Sequence, residues 1–164
     1  MISTKCFSTW KLWAARNEHE GIDSPGVYAI AIAKENLADA PFSFREEIAY
    51  FGMTNSRGGL KSRLRQFDQT IRGKDGHGGA ARFLYQYKDV QHWSYEELAE
   101  RLFVAVCPFL CNVESEQPGD LRIMGEVEKF EYECFAQYVE AFERMPEFND
   151  KERSPKKHRA IASR

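Results

Sequence analysis

Apolar residues follow two rhythms along this chain. Residues 27–33 (VYAIAIA) form a short, β-prone run directly after the turn signal Asp23-Ser24-Pro25-Gly26. Residues 47–52 (EIAYFG) read as a second strand. The two can pair as an antiparallel hairpin across a polar loop at 36–43. Residues 103–106 (FVAV) read as a third strand, ended by Pro108. The other rhythm is helical. Leu60, Leu64, Phe67 and Ile71 recur at i, i+4, i+7 and i+11, which puts them on one helix face. Lys61, Arg65 and Arg72 lie off that face, and Arg63 sits at its margin.

Further helices follow from the same pattern. Gly-rich residues 73–79 break the first helix and read as a mobile loop, and a short helix is expected over 80–87. Ser94 with Glu97 is a capping-box pair that starts a helix at about 95–102. A polar loop covers 112–120. A long helix over 120–145 carries the stripe Val127, Phe130, Cys134, Tyr138 and Met145, and Pro146 stops it. At the other end, residues 1–22 predict a short helix that packs Trp10, Leu12 and Trp13 onto the core. The pattern predicts an α+β fold.

Length and composition narrow the class. At 164 residues the chain fits one compact domain, expected over 1–150. The last 14 residues, 151–164, lack apolar periodicity and read as a flexible basic tail. No apolar run approaches the roughly 20 residues of a membrane span. The N-terminus shows no continuous apolar signal segment. The four cysteines have no zinc-knuckle spacing, so reduced and mostly buried thiols are expected, in a cytoplasmic protein.

The net charge of −2 conceals a division. Residues 57–74 carry six basic side chains against one acid, and residues 151–164 repeat that ratio. Residues 89–150 hold 15 acids and 4 bases. Basic clusters of this kind supply the phosphate attraction that nucleic-acid binding needs, although a solvated helix face and a tail carry such charge too.

Two triplets stand out. Gly26-Val27-Tyr28 and Tyr50-Phe51-Gly52 each join a glycine to a strand tyrosine. Arg63 follows in a helix. Then comes Glu131 in the long helix, with Cys134, Phe135 and Tyr138 after it, and finally Pro146 and Asn149. In this order the set resembles the GIY-YIG nuclease family over about residues 24–149. Val27 and Phe51 replace the isoleucines of the two triplets. Phe67 stands where some members carry a histidine, four residues after the arginine.

The resemblance implies a small central three-stranded antiparallel sheet flanked by helices. It also implies hydrolysis of DNA phosphodiesters with Mg²⁺ or Mn²⁺. Glu131 would hold the metal, a hard cation suited to a carboxylate. Glu128 shares its helix face and is the alternative, although the apolar spacing selects Glu131. Arg63 would pair with the phosphate through its fork of donors. Tyr28 would be the general base and Tyr50 would orient water or phosphate. Phe51 should point away from the tyrosine-bearing face. Lys61, Arg65 and His77 are candidate DNA contacts, with a solvated lysine and a simple loop histidine as the plainer readings. His77 is also a candidate substitute acid. DNA is the expected partner, a homodimer is possible for double-strand cleavage, and no membrane is involved. The rival reading is the same fold kept as an inactive nucleic-acid or protein binding module.

Overall fold

The computed structural model describes residues 6–74 and 76–150; the tail expected over 151–164 lies outside them. An antiparallel sheet forms the centre, with strands β1 (Lys11–Leu12), β2 (Gly26–Ile32), β3 (Ile48–Thr54) and β4 (Leu102–Pro108). The spatial order is β1-β4-β2-β3. β2 is flanked on both sides, by β3 and by β4. That position explains its unbroken apolar sequence, because both faces of a central strand here are covered. Among the described residues four α-helices surround the sheet: α1 (Gly59–Ile71), α2 (Gly78–Leu84), α3 (Tyr95–Ala99) and α4 (Pro118–Phe142). One wide π turn, Tyr85–Val90, continues α2.

The sheet therefore has four strands among the described residues, one more than expected. The extra strand, β1, pairs Lys11 with Val104 and Leu12 with Phe103. It replaces part of the N-terminal helix expected over 1–22, and a 3₁₀ turn, Trp13–Glu18, follows it. The reason lies in the two tryptophans. Both are fully buried, but Trp10 packs with Val27, Ala29 and Phe51 on one side of the sheet. Trp13 packs with Tyr28, Leu64 and Phe67 on the other. A helix would put residues three apart on one face, whereas extended backbone sends them to opposite faces.

The pleat of β2 thus divides the interior. Val27, Ala29 and Ala31 face α4 through Val127, Phe130, Cys134 and Tyr138. Tyr28 and Ile30 face α1, α2 and α3 through Leu60, Leu64, Phe67, Phe83 and Leu98. Phe51 lies in the first group, so it does point away from the tyrosine-bearing face.

α1 is anchored by a charge inside the second group. Asp68 is buried, and its carboxylate accepts hydrogen bonds from Trp13 Nε1 (2.8 Å), Tyr95 Oη (2.6 Å) and Arg72 Nε (2.8 Å). Arg16 lies 3.4 Å away. These bonds join the N-terminal segment and α3 to α1, and thereby set where Arg63 sits. α4 ends at Glu143, whose left-handed φ of 58° turns the chain toward Met145 and Pro146. The cysteines are free, with Cys107 and Cys134 buried, Cys111 half-buried and Cys6 exposed. No helix among the described residues is long and apolar enough to cross a membrane.

Candidate active site

The two sequence triplets meet in the hairpin β2–β3. Tyr28 is paired with Gly52, and Ile30 with Tyr50. Tyr28 and Tyr50 are thus diagonal neighbours on one face, with ring centroids 6.1 Å apart. The glycine opposite Tyr28 has a steric cause. A Cβ on Gly52 would come within 2.3 Å of the Tyr28 hydroxyl, so the ring lies where a side chain would be. Gly79 of α2 does the same for Tyr50, whose ring approaches its missing Cβ to 2.5 Å.

β3 is an edge strand, and a cleft of about 450 Å³ opens beside it. Tyr50 and Phe51 come from β3, Arg63 from α1, Gly78, Gly79 and Arg82 from α2, and Glu131, Tyr132 and Phe135 from α4. Met145 and Asn149 close the far end. Three of the four expected catalytic residues, Tyr50, Arg63 and Glu131, therefore share one cavity. Glu128 is exposed and does not line it.

Tyr28 is placed differently. It is 0% exposed and forms no part of the cleft wall. Its hydroxyl lies 2.9 Å from His77 Nε2. That contact corrects the reading of His77 as a mobile DNA contact. His77 is 2% exposed and caps α2, with Nδ1 accepting the Ala80 N–H at 3.2 Å. A neutral imidazole whose Nδ1 accepts must carry its proton on Nε2. The donor toward Tyr28 Oη is therefore Nε2–H. Burial, with Arg63 and Arg82 adding repulsion, pulls the imidazole down to about 3, so it is neutral at ordinary pH. Phe67 packs edge-on against His77 at 5.1 Å. The sequence reading offered it as a DNA contact or substitute acid in a loop; its burial against Tyr28 was not readable, because one histidine among glycines has no periodicity.

The electrostatics of the cleft centre on Glu131. Burial, with repulsion from Glu128, pushes its carboxyl up to about 7, against the pull of Arg63. Burial raises the Tyr28 hydroxyl well above its usual value, and Tyr50 and Glu131 push the same way while Arg63 opposes. Tyr50 is also raised, first by burial and then by Glu131, against Arg63, Arg82 and hydrogen bonding with Tyr28.

Asn149 binds the backbone of the edge strand. Its Oδ1 accepts Phe51 N–H at 2.9 Å and its Nδ2 donates to Phe51 O at 2.8 Å. Lys61 and Arg65 do not reach this cleft. Both are exposed, and they line a separate depression of about 390 Å³ with Arg16, Asn17, Gly58 and Ser62. Three cations and no acid face it. Two cleft residues, Arg82 and Tyr132, were not singled out from the sequence. Arg82 follows the His77-Gly-Gly turn by three residues, and Tyr132 follows Glu131 directly, so adjacency was the available signal.

Among the described residues no three of His, Cys, Asp and Glu gather as a metal-binding group. A scan against protein-family models finds no match, and searches of curated proteins and of solved structures find no similar chain either.

Proposed function

We propose that this chain is a metal-dependent endonuclease of the GIY-YIG type that hydrolyses DNA phosphodiester bonds. The observation that carries the reading is the convergence of Tyr50, Arg63 and Glu131 on one cleft, with Tyr28 directly behind Tyr50. The two glycines of the triplets' helix and strand neighbours, Gly52 and Gly79, make room for those same two tyrosine rings.

The donor set fits a hard divalent cation. A half-buried carboxyl held near 7 is short of positive charge, and a cation beside Glu131 would restore it. Mg²⁺ commonly takes one or two carboxylates and completes its shell with water and substrate phosphate, so a single glutamate suffices. When bound, such an ion neutralises phosphate charge and lowers the pKa of its water.

The remaining roles belong to the chain. Arg63 offers its guanidinium to the phosphate. Tyr50 presents its oxygen on the cleft wall; burial keeps its hydroxyl protonated while Arg63 and Arg82 pull the other way, and as the phenolate it would take the proton from water. Tyr28 serves from behind rather than as the direct base, because it has no cleft surface. His77 Nε2–H donates to Tyr28, which leaves the Tyr28 O–H free to donate toward Tyr50. The Tyr28 hydrogen bond then works against the burial that raises the Tyr50 hydroxyl. The cationic depression at Lys61 and Arg65 would carry flanking DNA backbone through charge.

The test is plasmid nicking with Mg²⁺ or Mn²⁺. Wild type should nick, and Arg63→Ala and Glu131→Ala should each lose at least about a hundredfold in rate. Nicking that survives both substitutions overturns the reading. A second reading, an inactive binding module, is favoured by the complete burial of Tyr28. Salt-sensitive DNA binding with no cleavage by the wild type would establish it.

A further inference from the structure

The cleft is lined both by charged side chains, Arg63, Arg82 and Glu131, and by apolar ones, Tyr132, Phe135 and Met145. Tyr132 is 72% exposed, and Met145 is 38% exposed. The Tyr132 ring stands at 86° to the half-buried Phe135 ring, with centroids 5.8 Å apart. The fold does not require Tyr132. The core stripe of α4 is Val127, Phe130, Cys134 and Tyr138, and all four are buried without it. A large aromatic ring in solvent, in the same cleft as the Arg63 guanidinium, calls for a partner with a flat apolar face and an attached negative charge.

An unpaired nucleotide has that shape and charge. The cavity of about 450 Å³ falls within the roughly 300–1,000 Å³ of small-ligand sites. It can take a nucleotide but not a duplex. Bases in a duplex present their edges to the grooves and keep their faces stacked. A base can reach Tyr132 while its phosphate meets Arg63 only after leaving the stack.

Building on the endonuclease reading, we propose that the Tyr132–Phe135–Met145 wall is a stacking site for an unpaired base next to the scissile phosphate. The substrate class is then DNA with single-stranded character at the cut, such as a single strand, a flap or a frayed end. Base–aromatic stacking is strong and tolerant of sequence.

The experiment measures binding without divalent metal, so that no cleavage occurs. One labelled sequence is presented as a single strand, as a blunt duplex and as a flap. Wild type should bind the single strand and the flap at least about tenfold tighter than the duplex. Tyr132→Ala should remove about tenfold from the first two and leave duplex binding unchanged, since one stacked base is worth that much. Tyr132→Phe should retain the affinity, because it keeps the ring. A 2-aminopurine placed at the unpaired position should be quenched by wild type and Tyr132→Phe but not by Tyr132→Ala. Equal loss for all three DNA forms, or no loss, overturns the stacking site while leaving the endonuclease reading intact. Failure to bind any DNA overturns both.

Discussion

The Tyr28 hydroxyl lies 2.9 Å from His77 Nε2, and the other imidazole nitrogen caps α2 through Ala80 N–H. One side chain therefore starts a helix and fixes the hydrogen-bond direction at a buried tyrosine. The two duties can be separated by substitution. His77→Asn keeps an acceptor near the Nδ1 position and loses the donor to Tyr28. It should stay folded, and its rate should fall about tenfold or more, with the rising limb of the pH–rate profile moved to higher pH. His77→Gln keeps a donor near the Nε2 position and loses the cap, at a cost of about 1 kcal/mol of stability. Thermal melts and pH–rate profiles on both variants decide the assignment. Equal profiles for His77→Asn and wild type would exclude the donor role.

Glu131 gives a pH dependence with a definite sign. Its carboxyl titrates at about 7 in the folded protein, above the ordinary value of 4.5. The folded state therefore holds a proton that the unfolded state has released, and the contribution of this group to stability falls as pH rises from about 4.5 to 7. Glu131→Gln removes that loss and should stabilise the protein at pH 8 by about 1–2 kcal/mol, after allowance for its partial exposure. The same variant should lose Mg²⁺ binding. In wild type, Mg²⁺ binding should strengthen about tenfold per pH unit below 7, because the cation must displace the proton. Calorimetric titrations at pH 6, 7 and 8 test this.

Acid should unfold the protein through its buried histidines. His77 titrates at about 3 and His19 at about 4, both lowered first by burial. His19 Nε2 lies 3.1 Å from the Val104 carbonyl. Below about 6.5 the unfolded chain takes up protons that these two sites refuse, so stability falls with falling pH down to about 4. The loss should reach a few kcal/mol by pH 4. In the Glu131→Gln variant, which lacks the opposing carboxyl titration, a denaturation midpoint unchanged between pH 7 and 4.5 would contradict the neutral assignment.

Asp68 acts in a lower window. Burial opposes its charge, but the bonds from Tyr95, Trp13 and Arg72 and the nearby Arg16 outweigh that, and its carboxyl lies below the ordinary value. Its contribution is present above about pH 4 and disappears as the folded carboxyl is protonated. Asp68→Ala leaves Trp13 Nε1 and Tyr95 Oη without their acceptor, and should cost about 3 kcal/mol. Arg63 should be displaced with α1, so activity should fall with stability. Chemical denaturation and nicking assays on the variant measure both effects.

Much of this arrangement was legible in the residues before any coordinates. The apolar run of β2, the periodicity of α1 and the stripe of α4 all became the elements their patterns indicated. The two tyrosines, Arg63 and Glu131 were singled out by the resemblance of their motif order to a known family, and three of the four do share the cleft. β1 was not legible, because two residues are too few to show alternation, and it forms on the edge of β4 as a consequence of packing. Nor was the burial of Tyr28 readable. It depends on His77 and Phe67, which arrive from α1 and the turn before α2. Met145 was assigned to the core stripe by spacing, but the helix ends at Phe142 and the chain turns it toward the cleft.

The Asn149 amide meets both the N–H and the C=O of Phe51, as a neighbouring strand would. An open sheet edge is a template for another chain, and this one is occupied midway by a single side chain from 98 residues downstream. Solution behaviour should therefore depend on that amide. A second molecule adding a strand at Phe51 must first displace it. Asn149→Ala leaves a bare edge bordered by the apolar wall of the cleft. It should self-associate at concentrations where wild type does not, with a gain in β-sheet signal, and light scattering at matched concentrations reads the difference. The residue at the end of the motif order is, in this sense, a guard against misassembly as much as part of the cleft lining.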